Sequence, residues 1–304
     1  MAESLRLRGM IPPIITPLDA DGHVDEDSVA RLIDFQLRSG ATGIFIMGSS
    51  GEGPWLDSAQ REALLRAAVR AIDGRVPLLA GVMEPVASRV CERLPQLKAL
   101  GADAAVVTTP YYFQADEAVQ RAHFDEVAEN SPLPLVLYNI PGMTHNPLVP
   151  AVVRHVLRHE TVIGIKDSGG DWNVFTALLE LRAGRPDFQV LQGAEAQSAR
   201  AMRAGAAGLV PGIGNLIPAA MRRIVDDPQD ETPQQLAIAL GAAIRVHGYF
   251  LTTLKYAMAL GGFGSARCIC RPDTLSRSAK TDIQRIVARY APDALACATG
   301  QERA

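Results

Sequence analysis

Short apolar segments alternate with helical patterns along most of this chain, and the alternation restricts the folds that are open to it. Each segment has strand character and is followed by a loop. The segments cover residues 11–16, 42–47, 76–80, 104–107, 135–137, 162–165, 188–191 and 208–210. Eight strand-then-helix units, spaced at roughly 20 to 35 residues, predict an α/β fold of the (β/α)8 type, a TIM barrel with a closed parallel sheet.

The main structural rival is an open, doubly wound sheet. Such a sheet usually has a G-x-G-x-x-G turn after an early strand, and no such turn opens a helix in this sequence. Strand patterns stop after about Asp226, and helical patterns follow near residues 233–260 and 276–290. We therefore predict two parts, with residues 1–225 as the catalytic barrel and residues 226–304 as a helical C-terminal extension.

The composition is that of an ordinary globular protein. Of its 304 residues, 48% are hydrophobic and 21% are charged, and the formal net charge is -3. There is no basic excess to bind nucleic acid or an acidic membrane, so we expect the partner to be a small molecule or another copy of the chain. The N-terminus lacks an apolar core of signal-peptide length, and no later stretch reaches transmembrane length, which predicts a cytoplasmic protein.

The four cysteines do not suggest a metal site. They stand at Cys91, Cys268, Cys270 and Cys297, without C-x-x-C spacing and without a nearby histidine pattern. Neither a zinc site nor a disulfide framework is therefore indicated. We expect Cys268 and Cys270 to be reduced thiols.

Lys166 ends the apolar run 162–165 and is followed at once by Asp-Ser-Gly-Gly. At the end of a buried strand, a lysine has its stem in an apolar wall, and desolvation favours the neutral amine that a Schiff-base enzyme needs. The alternative is a lysine that extends to solvent or pairs with Asp167. A second candidate, Lys255, has apolar neighbours at helical spacing, which suggests packing.

Other chemically capable side chains follow the ends of other predicted strands. Ser49 and Ser50 lie in a Gly-Ser-Ser-Gly loop before a helix, where hydroxyls and amides suit a carboxylate, although such a loop is more often a plain turn. Tyr138 could exchange a proton near Lys166, although a buried tyrosine is more often only hydrogen-bonded. Tyr112 alone would be interpreted as a core or interface aromatic. All strand ends of a parallel barrel open on one face, where active sites are built.

Five ordered motifs give the sequence a resemblance to a known family. They are GSSGE at 48–52, PYY at 110–112, YNIP at 138–141, GIKD at 164–167 and GLVPGIGN at 208–215. The sequence resembles the pyruvate-dependent class I aldolases and dehydratases of the dihydrodipicolinate synthase and N-acetylneuraminate lyase superfamily. The resemblance covers nearly the whole chain, including Arg271-Pro272, where members commonly carry a similar pair.

The resemblance implies roles for the strand-end residues. Lys166 is expected to form a Schiff base with the keto carbon of pyruvate or of a 2-keto acid, and Tyr138 to shuttle the proton. Ser49 and Ser50 are expected to hold the carboxylate. Tyr112 is expected to relay protons from across a tight dimer interface.

The resemblance also implies a pocket and an assembly. Gly193 and Val210 match backbone and wall positions of the pyruvate pocket. A homotetramer built as a dimer of dimers is usual in this family, and neither a metal nor an organic cofactor is needed. From the residues themselves, Thr144 is a candidate for contacts with distal substrate hydroxyls, as are Ser168, Glu195 and Asn215, although such loop residues often only satisfy turns.

One departure from the family pattern bears on the substrate. In the synthase the strand-five loop reads YN-x-P-x-R-T, and its arginine receives the carboxylate of aspartate semialdehyde, whereas this chain has Met143 there. A thioether cannot replace a bidentate guanidinium. The sequence therefore favours an aldolase or dehydratase acting on a 2-keto-3-deoxy sugar acid or a related pyruvate-derived 2-keto acid, with 4-hydroxy-tetrahydrodipicolinate synthase as the alternative.

Two further interpretations remain open from the sequence. A barrel can keep its fold and act as a non-catalytic, ligand-binding regulator, although the lysine, tyrosine and serine set argues against it. A phosphate-sugar isomerase would need a glycine-rich site after strands seven and eight, and Gly212-x-Gly214 is a faint hint of one. The same glycines would also let backbone approach a pocket.

Overall fold

The computed structural model of the protein describes residues 5–269, 271 and 274–299. Cys270, Pro272 and the last residues of the predicted extension, 300–304, lie outside the described residues. Within the described part, the strands are β1 (Gly9–Met10), β2 (Ile44–Ile46), β3 (Leu78–Val82), β4 (Ala104–Thr108), β5 (Leu135–Asn139), β6 (Val162–Asp167), β7 (Gln189–Gln192) and β8 (Gly208–Leu209).

The strands form one parallel sheet that closes on itself. Their spatial order is β1-β8-β7-β6-β5-β4-β3-β2. Beyond β1, the Ile14 amide donates to the Phe45 carbonyl at 2.9 Å, and the Phe45 amide donates to the Pro12 carbonyl at 3.0 Å, which joins this segment to β2. The predicted (β/α)8 TIM barrel is confirmed.

The first strand lies earlier in the chain than the sequence pattern indicates. The pattern predicts a strand over residues 11–16, whereas β1 is Gly9–Met10 and only Pro13 pairs further on, in an isolated bridge with Phe45. Pro12 and Pro13 have no N–H to donate, so a regular ladder cannot run through them. The apolar run still fills the core, since Ile11, Ile14 and Ile15 are buried.

Helices surround the sheet and continue beyond it. Within the described residues they are α1 (Glu26–Arg38), α2 (Ser58–Ile72), α3 (Ala87–Ala99), α4 (Glu117–Asn130), α5 (Pro141–Thr144), α6 (Pro150–Val156), α7 (Trp172–Glu180), α8 (Ser198–Arg203), α9 (Pro218–Asp226), α10 (Glu231–Arg245), α11 (Phe250–Leu260), α12 (Arg277–Tyr290) and α13 (Pro292–Thr299). In the described part of the chain, no single helix has the length and apolar composition to cross a membrane, and α10 and α11 meet that test only as a pair bent by 107°.

The C-terminal extension packs on the barrel. Residues of α10 and α11, such as Leu240 and Leu254, belong to the same buried cluster as residues of the barrel helices. The helical pattern predicted near 233–260 is in fact two helices, because the chain turns at Gly248, whose φ of +153° is outside the helical range. The boundary between residues 225 and 226 remains a prediction, and it falls one residue before the end of α9.

The barrel interior has its own apolar cluster, separate from the layer between sheet and helices. Its buried members are Leu7, Ile11, Phe45, Leu79, Met83, Ala104, Val106, Val136, Tyr138, Ile163, Leu191 and Val210. They alternate along the strands with residues that face the helices, as the two-residue period of a strand requires. We call this set the interior cluster.

One histidine is buried between the sheet and its helices. His123 in α4 is 5% exposed, it hydrogen-bonds the backbone of Thr108, and its Nε2 has no hydrogen-bond partner among the described residues. Burial lowers the pKa of His123 from 6.5 to about 4. The ring is therefore neutral in the folded protein at neutral pH.

Neutral His123 is expected to make the fold sensitive to acid. The unfolded chain binds this proton more tightly than the folded chain, so stability is present above pH 6.5 and is lost as the pH falls towards 4. Between pH 7 and pH 5, the free energy of unfolding should fall by about 2 kcal/mol more in the wild type than in His123→Gln. Urea titrations at both pH values measure this difference.

The control replaces a histidine that is exposed. His145 lies at the surface with a φ of +58°, a conformation that asparagine tolerates. His145→Asn should lose as much stability as the wild type on acidification. If His123→Gln also loses that much, buried His123 is not the source of the sensitivity.

Candidate active site

Neighbouring strands hold three polar side chains at one level of the barrel. Thr108 pairs with Tyr138 across β4 and β5, and Tyr138 pairs with Lys166 across β5 and β6. Residues paired in register project to the same side of a sheet, so these side chains are neighbours. Lys166 is 4% exposed, and its Nζ lies 4.2 Å from the centre of the Tyr138 ring and 5.0 Å from that of the Phe45 ring.

These aromatic faces suit a positive charge on the lysine nitrogen. A cation within about 6 Å of a ring centre is stabilised by the negative face of the ring, and both rings satisfy this distance. Among the described residues Lys166 forms no ion pair, so the pairing with Asp167 considered from the sequence is absent there. An iminium cation formed on Nζ would be stabilised by Tyr138 and Phe45.

Asp167 instead faces away from the barrel interior and braces two strands. It is fully buried, and its Oδ1 accepts hydrogen bonds from Asn139 Nδ2 at 2.6 Å and from the Gly169 amide at 3.3 Å. Burial raises the pKa of Asp167, although the Asn139 hydrogen bond opposes the rise. Because Asn139 and Asp167 directly follow Tyr138 and Lys166, this brace fixes the relative positions of Tyr138 and Lys166.

The two residues predicted to form the pocket wall, Gly193 and Val210, are both close to other predicted site residues. The Gly193 amide donates to the Asp167 carbonyl at 2.7 Å, and a Cβ on Gly193 would lie 2.9 Å from Lys166 Cε and closer still to Ser168 Oγ. Only glycine leaves room there for the lysine stem. Val210 is 2% exposed and belongs to the interior cluster together with Tyr138.

The serine loop has a sharply turned backbone. Met47 and Glu52, on either side of it, have φ values of +56° and +58°. The two hydroxyls differ in their surroundings, since Ser49 lines a cavity, whereas Ser50 Oγ lies beside Gly212 in the loop after β8. The loop thus brings Ser49 to the cavity and Ser50 to the loop that follows β8.

A buried ion pair ties the serine loop to the C-terminal extension. Lys255 Nζ lies 2.5 Å from Glu52 Oε1, and both side chains are fully buried. The other carboxylate oxygen, Oε2, accepts a hydrogen bond from the Ile269 amide at 2.6 Å. Lys255 is packed as the helical pattern predicts, but its amine is also engaged by a carboxylate. An ammonium group held in this way is not available as a nucleophile.

A cavity of about 210 Å³ borders the interior cluster. It reaches the barrel interior at Met83, a member of that cluster, and at Thr108, the register partner of Tyr138. Met143 from α5 and Tyr249, just before α11, line its outer part. None of the described residues that line this cavity is lysine, arginine or histidine.

The two adjacent tyrosines have different environments. Tyr111 lines the cavity, and its hydroxyl donates to the Met83 carbonyl at 3.1 Å. Burial is the largest cause of a raised pKa for Tyr111. Tyr112 has a φ of +78°, is 86% exposed and packs edge-on against exposed Phe113. Within one chain, Tyr112 therefore does not join Lys166.

Comparison with known proteins identifies the family. A family model described as the dihydrodipicolinate synthetase family matches residues 6–289. The chain belongs to this family. As a member it is an enzyme of the lyase class that acts through a lysine Schiff base on small-molecule substrates.

Curated relatives and solved structures agree with this membership. The chain is 39% identical over 222 residues to a protein of Stenotrophomonas maltophilia K279a named 4-hydroxy-tetrahydrodipicolinate synthase, covering 73% of this chain and 74% of that one. It is 38% identical over 226 residues to a protein of the same name from Xanthomonas axonopodis pv. citri, covering 74% of each.

Two solved structures are similar over nearly the whole fold. One is YagE, a prophage protein of the dihydrodipicolinic acid synthase family from E. coli K12 in complex with pyruvate, with a TM-score of 0.86, 28% identity, and coverage of 93% of this chain and 98% of that one. The other is dihydrodipicolinate synthase from Bacteroides thetaiotaomicron, with a TM-score of 0.88, 26% identity, and coverage of 94% and 100%.

Most of the residues that the sequence suggests for contacts with distal substrate hydroxyls already form hydrogen bonds or an ion pair within the protein. The Thr144 hydroxyl lies in the cavity wall but donates to backbone carbonyls of Ile140 and Asn146, at 3.3 and 3.2 Å. Glu195 pairs with Arg245. The Asn215 amide is bonded to backbone groups of Ile15, Pro13 and Gly212. Ser168 lies beside Gly193.

Sequence reasoning missed three residues of the site. Glu52 belongs to a motif that the sequence singles out, but its partner is 203 residues away, and no local pattern connects the two. Tyr249 comes from the extension, which the sequence treats as separate from the barrel. Thr108 directly follows the predicted strand 104–107 and is the last residue of the observed strand, and its position at a strand end was the available signal for it.

The close approach at Gly193 is expected to control Lys166. Gly193→Ala pushes its Cβ against the lysine stem, so trapping of pyruvate by borohydride should slow by roughly 10²-fold, the scale expected for a misplacement near 1 Å. Mass spectrometry of the intact protein measures the rate. Gly184→Ala is the control, because a Cβ there meets only the Leu181 carbonyl at 3.9 Å. Unchanged trapping in Gly193→Ala would contradict the proximity argument.

Proposed function

We propose that Lys166 is the lysine that forms the Schiff base, with the keto carbon of pyruvate or of a 2-keto acid. The supporting observation is its environment: the amine is buried at a strand end, faces two aromatic rings and has no ion pair among the described residues. The other buried lysine, Lys255, is held by Glu52. Family membership supplies the chemistry, and the surroundings of the two lysines support the assignment to Lys166.

In the proposed reaction the neutral amine attacks the keto carbon and gives a carbinolamine. The Tyr138 phenol, next to Lys166, gives a proton to the departing hydroxyl, which leaves as water and gives the iminium. Ser49, Ser50 and the amides of their loop hold the substrate carboxylate, and Gly193 and Val210 form the wall. Tyr112, exposed on this chain, relays the proton from a neighbouring copy.

The iminium is an electron sink for either of two bond cleavages. In an aldolase the C4 hydroxyl loses its proton, the C3–C4 bond breaks, and its electrons enter the enamine. In a dehydratase a C3 proton leaves and a hydroxyl is eliminated from the adjacent carbon. The same lysine and tyrosine serve both reactions, so contacts with the distal part of the substrate decide between them.

For the substrate we propose a 2-keto-3-deoxy sugar acid or a related pyruvate-derived 2-keto acid. The observation that carries this choice is the composition of the cavity wall. Met143 stands where the synthase has its arginine, and none of the described lining residues carries a positive charge. The hydroxyls of Ser49 and Thr108 suit a neutral, hydroxylated chain better than a second carboxylate.

The second candidate is 4-hydroxy-tetrahydrodipicolinate synthase, which condenses pyruvate with aspartate semialdehyde. Similarity favours this candidate over the sugar acid, because the relatives at 38–39% identity carry that name. The cavity wall argues against it, because a desolvated carboxylate without a cationic partner is costly. A non-catalytic regulator is not supported by membership of a lyase family.

For the assembly we propose a homotetramer built as a dimer of dimers. Support comes from a groove of about 750 Å³ on the outer surface, to which the exposed side chains of Val86, Tyr112, Phe113 and Val119 contribute. Exposed apolar patches of this kind mark interaction sites. Tyr112 belongs to this surface, which suits a relay across an interface. A cytoplasmic location remains a prediction from the sequence.

The first test of this function is a covalent adduct. Incubation with pyruvate and borohydride should add the mass of a reduced pyruvate adduct to the peptide that contains Lys166, as read by peptide mass spectrometry. Lys166→Arg should abolish the adduct, because guanidinium is not a nucleophile. An adduct on Lys255 or Lys98 in the wild type, or none at all, would defeat the mechanism.

The second test concerns the substrate and uses one designed gain of function. The wild type should cleave or dehydrate at least one 2-keto-3-deoxy sugar acid. Its kcat/KM for condensing pyruvate with aspartate semialdehyde should be lower than its kcat/KM for that sugar acid by roughly 10²-fold, because the semialdehyde carboxylate has no cationic partner at Met143. Met143→Arg should raise the rate with the semialdehyde, whereas Met143→Leu should not. Assays of pyruvate release, water loss and condensation measure these rates.

The outcomes of that panel separate the candidates. Efficient condensation by the wild type, without activity on any sugar acid, would establish the synthase and reject the sugar-acid proposal. Met143 is 52% exposed, so neither substitution should disturb the core.

A further inference from the structure

One buried hydroxyl in the cavity wall has no hydrogen-bond partner among the described residues. Thr108 is 3% exposed and lines the cavity, and its Oγ1 has no hydrogen-bond partner among the described residues. Thr144, in the same wall, donates its hydroxyl to backbone carbonyls. Buried polar atoms are normally hydrogen-bonded, so an unpaired hydroxyl on a residue that lines a cavity indicates a group that pairs with a ligand.

Thr108 lies two strands away from Lys166, the proposed site of imine formation. Thr108, Tyr138 and Lys166 occupy one register level on three adjacent strands, and neighbouring strands are about 4.8 Å apart. A substrate joined to Lys166 through C2 and running along this level past Tyr138 would bring the atoms beyond the bond that breaks to Thr108 and to the cavity that it lines.

The surroundings of Thr108 hold it in place without using its hydroxyl. Its backbone is hydrogen-bonded by buried His123, and the next residue, Thr109, donates to the Asn146 carbonyl at 2.9 Å. Its neighbours along β4 are Val106 and Val107, both buried. Valine has nearly the shape of threonine and would fill the same space, so packing does not explain the hydroxyl.

We propose that Thr108 Oγ1 binds a hydroxyl on the substrate carbon adjacent to the aldehyde carbon of the C–C bond that forms or breaks. This inference rests on the proposed Schiff-base function, and it makes Thr108 a specificity residue. Thr108 selects hydroxylated aldehydes as partners of pyruvate. A partner without the hydroxyl leaves Oγ1 unpaired in a dry wall, which lowers its reactivity.

The test compares two aldehydes that differ in one hydroxyl. Wild-type protein and Thr108→Val condense pyruvate with 2-hydroxypropanal or with propanal, and chromatography measures product formation. The wild type should prefer 2-hydroxypropanal by about 10-fold in kcat/KM, the worth of one hydrogen bond. Thr108→Val should lose this preference by slowing the reaction of 2-hydroxypropanal alone. Thr108→Ser, which keeps the hydroxyl, should retain the preference.

Two controls separate this proposal from the function on which it rests. Trapping of pyruvate by borohydride should be unchanged in Thr108→Val, whereas loss of trapping in the wild type would overturn the Schiff-base assignment itself. Thr281→Val, on the surface of α12, should behave as the wild type with both aldehydes.

The remaining outcomes decide against Thr108. With trapping intact, an equal loss for both aldehydes in Thr108→Val assigns the residue to the fold or to a general step. Equal use of both aldehydes by the wild type, or use of neither, overturns the proposal even if Thr108→Val fails to fold.

Discussion

The hydrogen-bond ladder of the closed parallel sheet is the constraint on which the site depends. It sets Thr108, Tyr138 and Lys166 side by side on three strands that are far apart in sequence. Successive residues of a strand face opposite sides, so a slip of one residue in β5 would replace Tyr138 by Asn139 in the barrel interior. Closure of the sheet leaves no edge at which such a slip is easily accommodated.

Because successive residues face opposite sides of the sheet, polar residues at the strand ends either project into the barrel interior or form hydrogen bonds outside it. At the ends of β5 and β6, Tyr138 and Lys166 face inwards, while Asn139 and Asp167 form a buried hydrogen bond outside. Burial raises the pKa of Asp167, and the hydrogen bond from the Asn139 amide opposes that rise. The hydrogen bond between Asn139 and Asp167 joins the two strand ends that carry the inward-facing pair, Tyr138 and Lys166.

The fold was predictable from the sequence because local periodicity reports which face of each element is buried. Seven of the strands lie within a few residues of their apolar runs, and the strand-end rule places Lys166, Tyr138 and Gly193 together. Periodicity fails where backbone chemistry intervenes, as at Pro12 and Pro13. It also carries no information on pairs distant in sequence, such as Glu52 with Lys255, or on whether a buried hydroxyl finds a partner.

The ion pair between Glu52 and Lys255 has a consequence for the order in which the protein matures on the ribosome. The last barrel strand ends at Leu209, but the ammonium that neutralises Glu52 belongs to a helix translated afterwards. A nascent chain with all eight strands still lacks the counterion of a carboxylate destined for complete burial. The contacts that accompany the burial of Glu52 are therefore complete only after Lys255 and Ile269 have been translated.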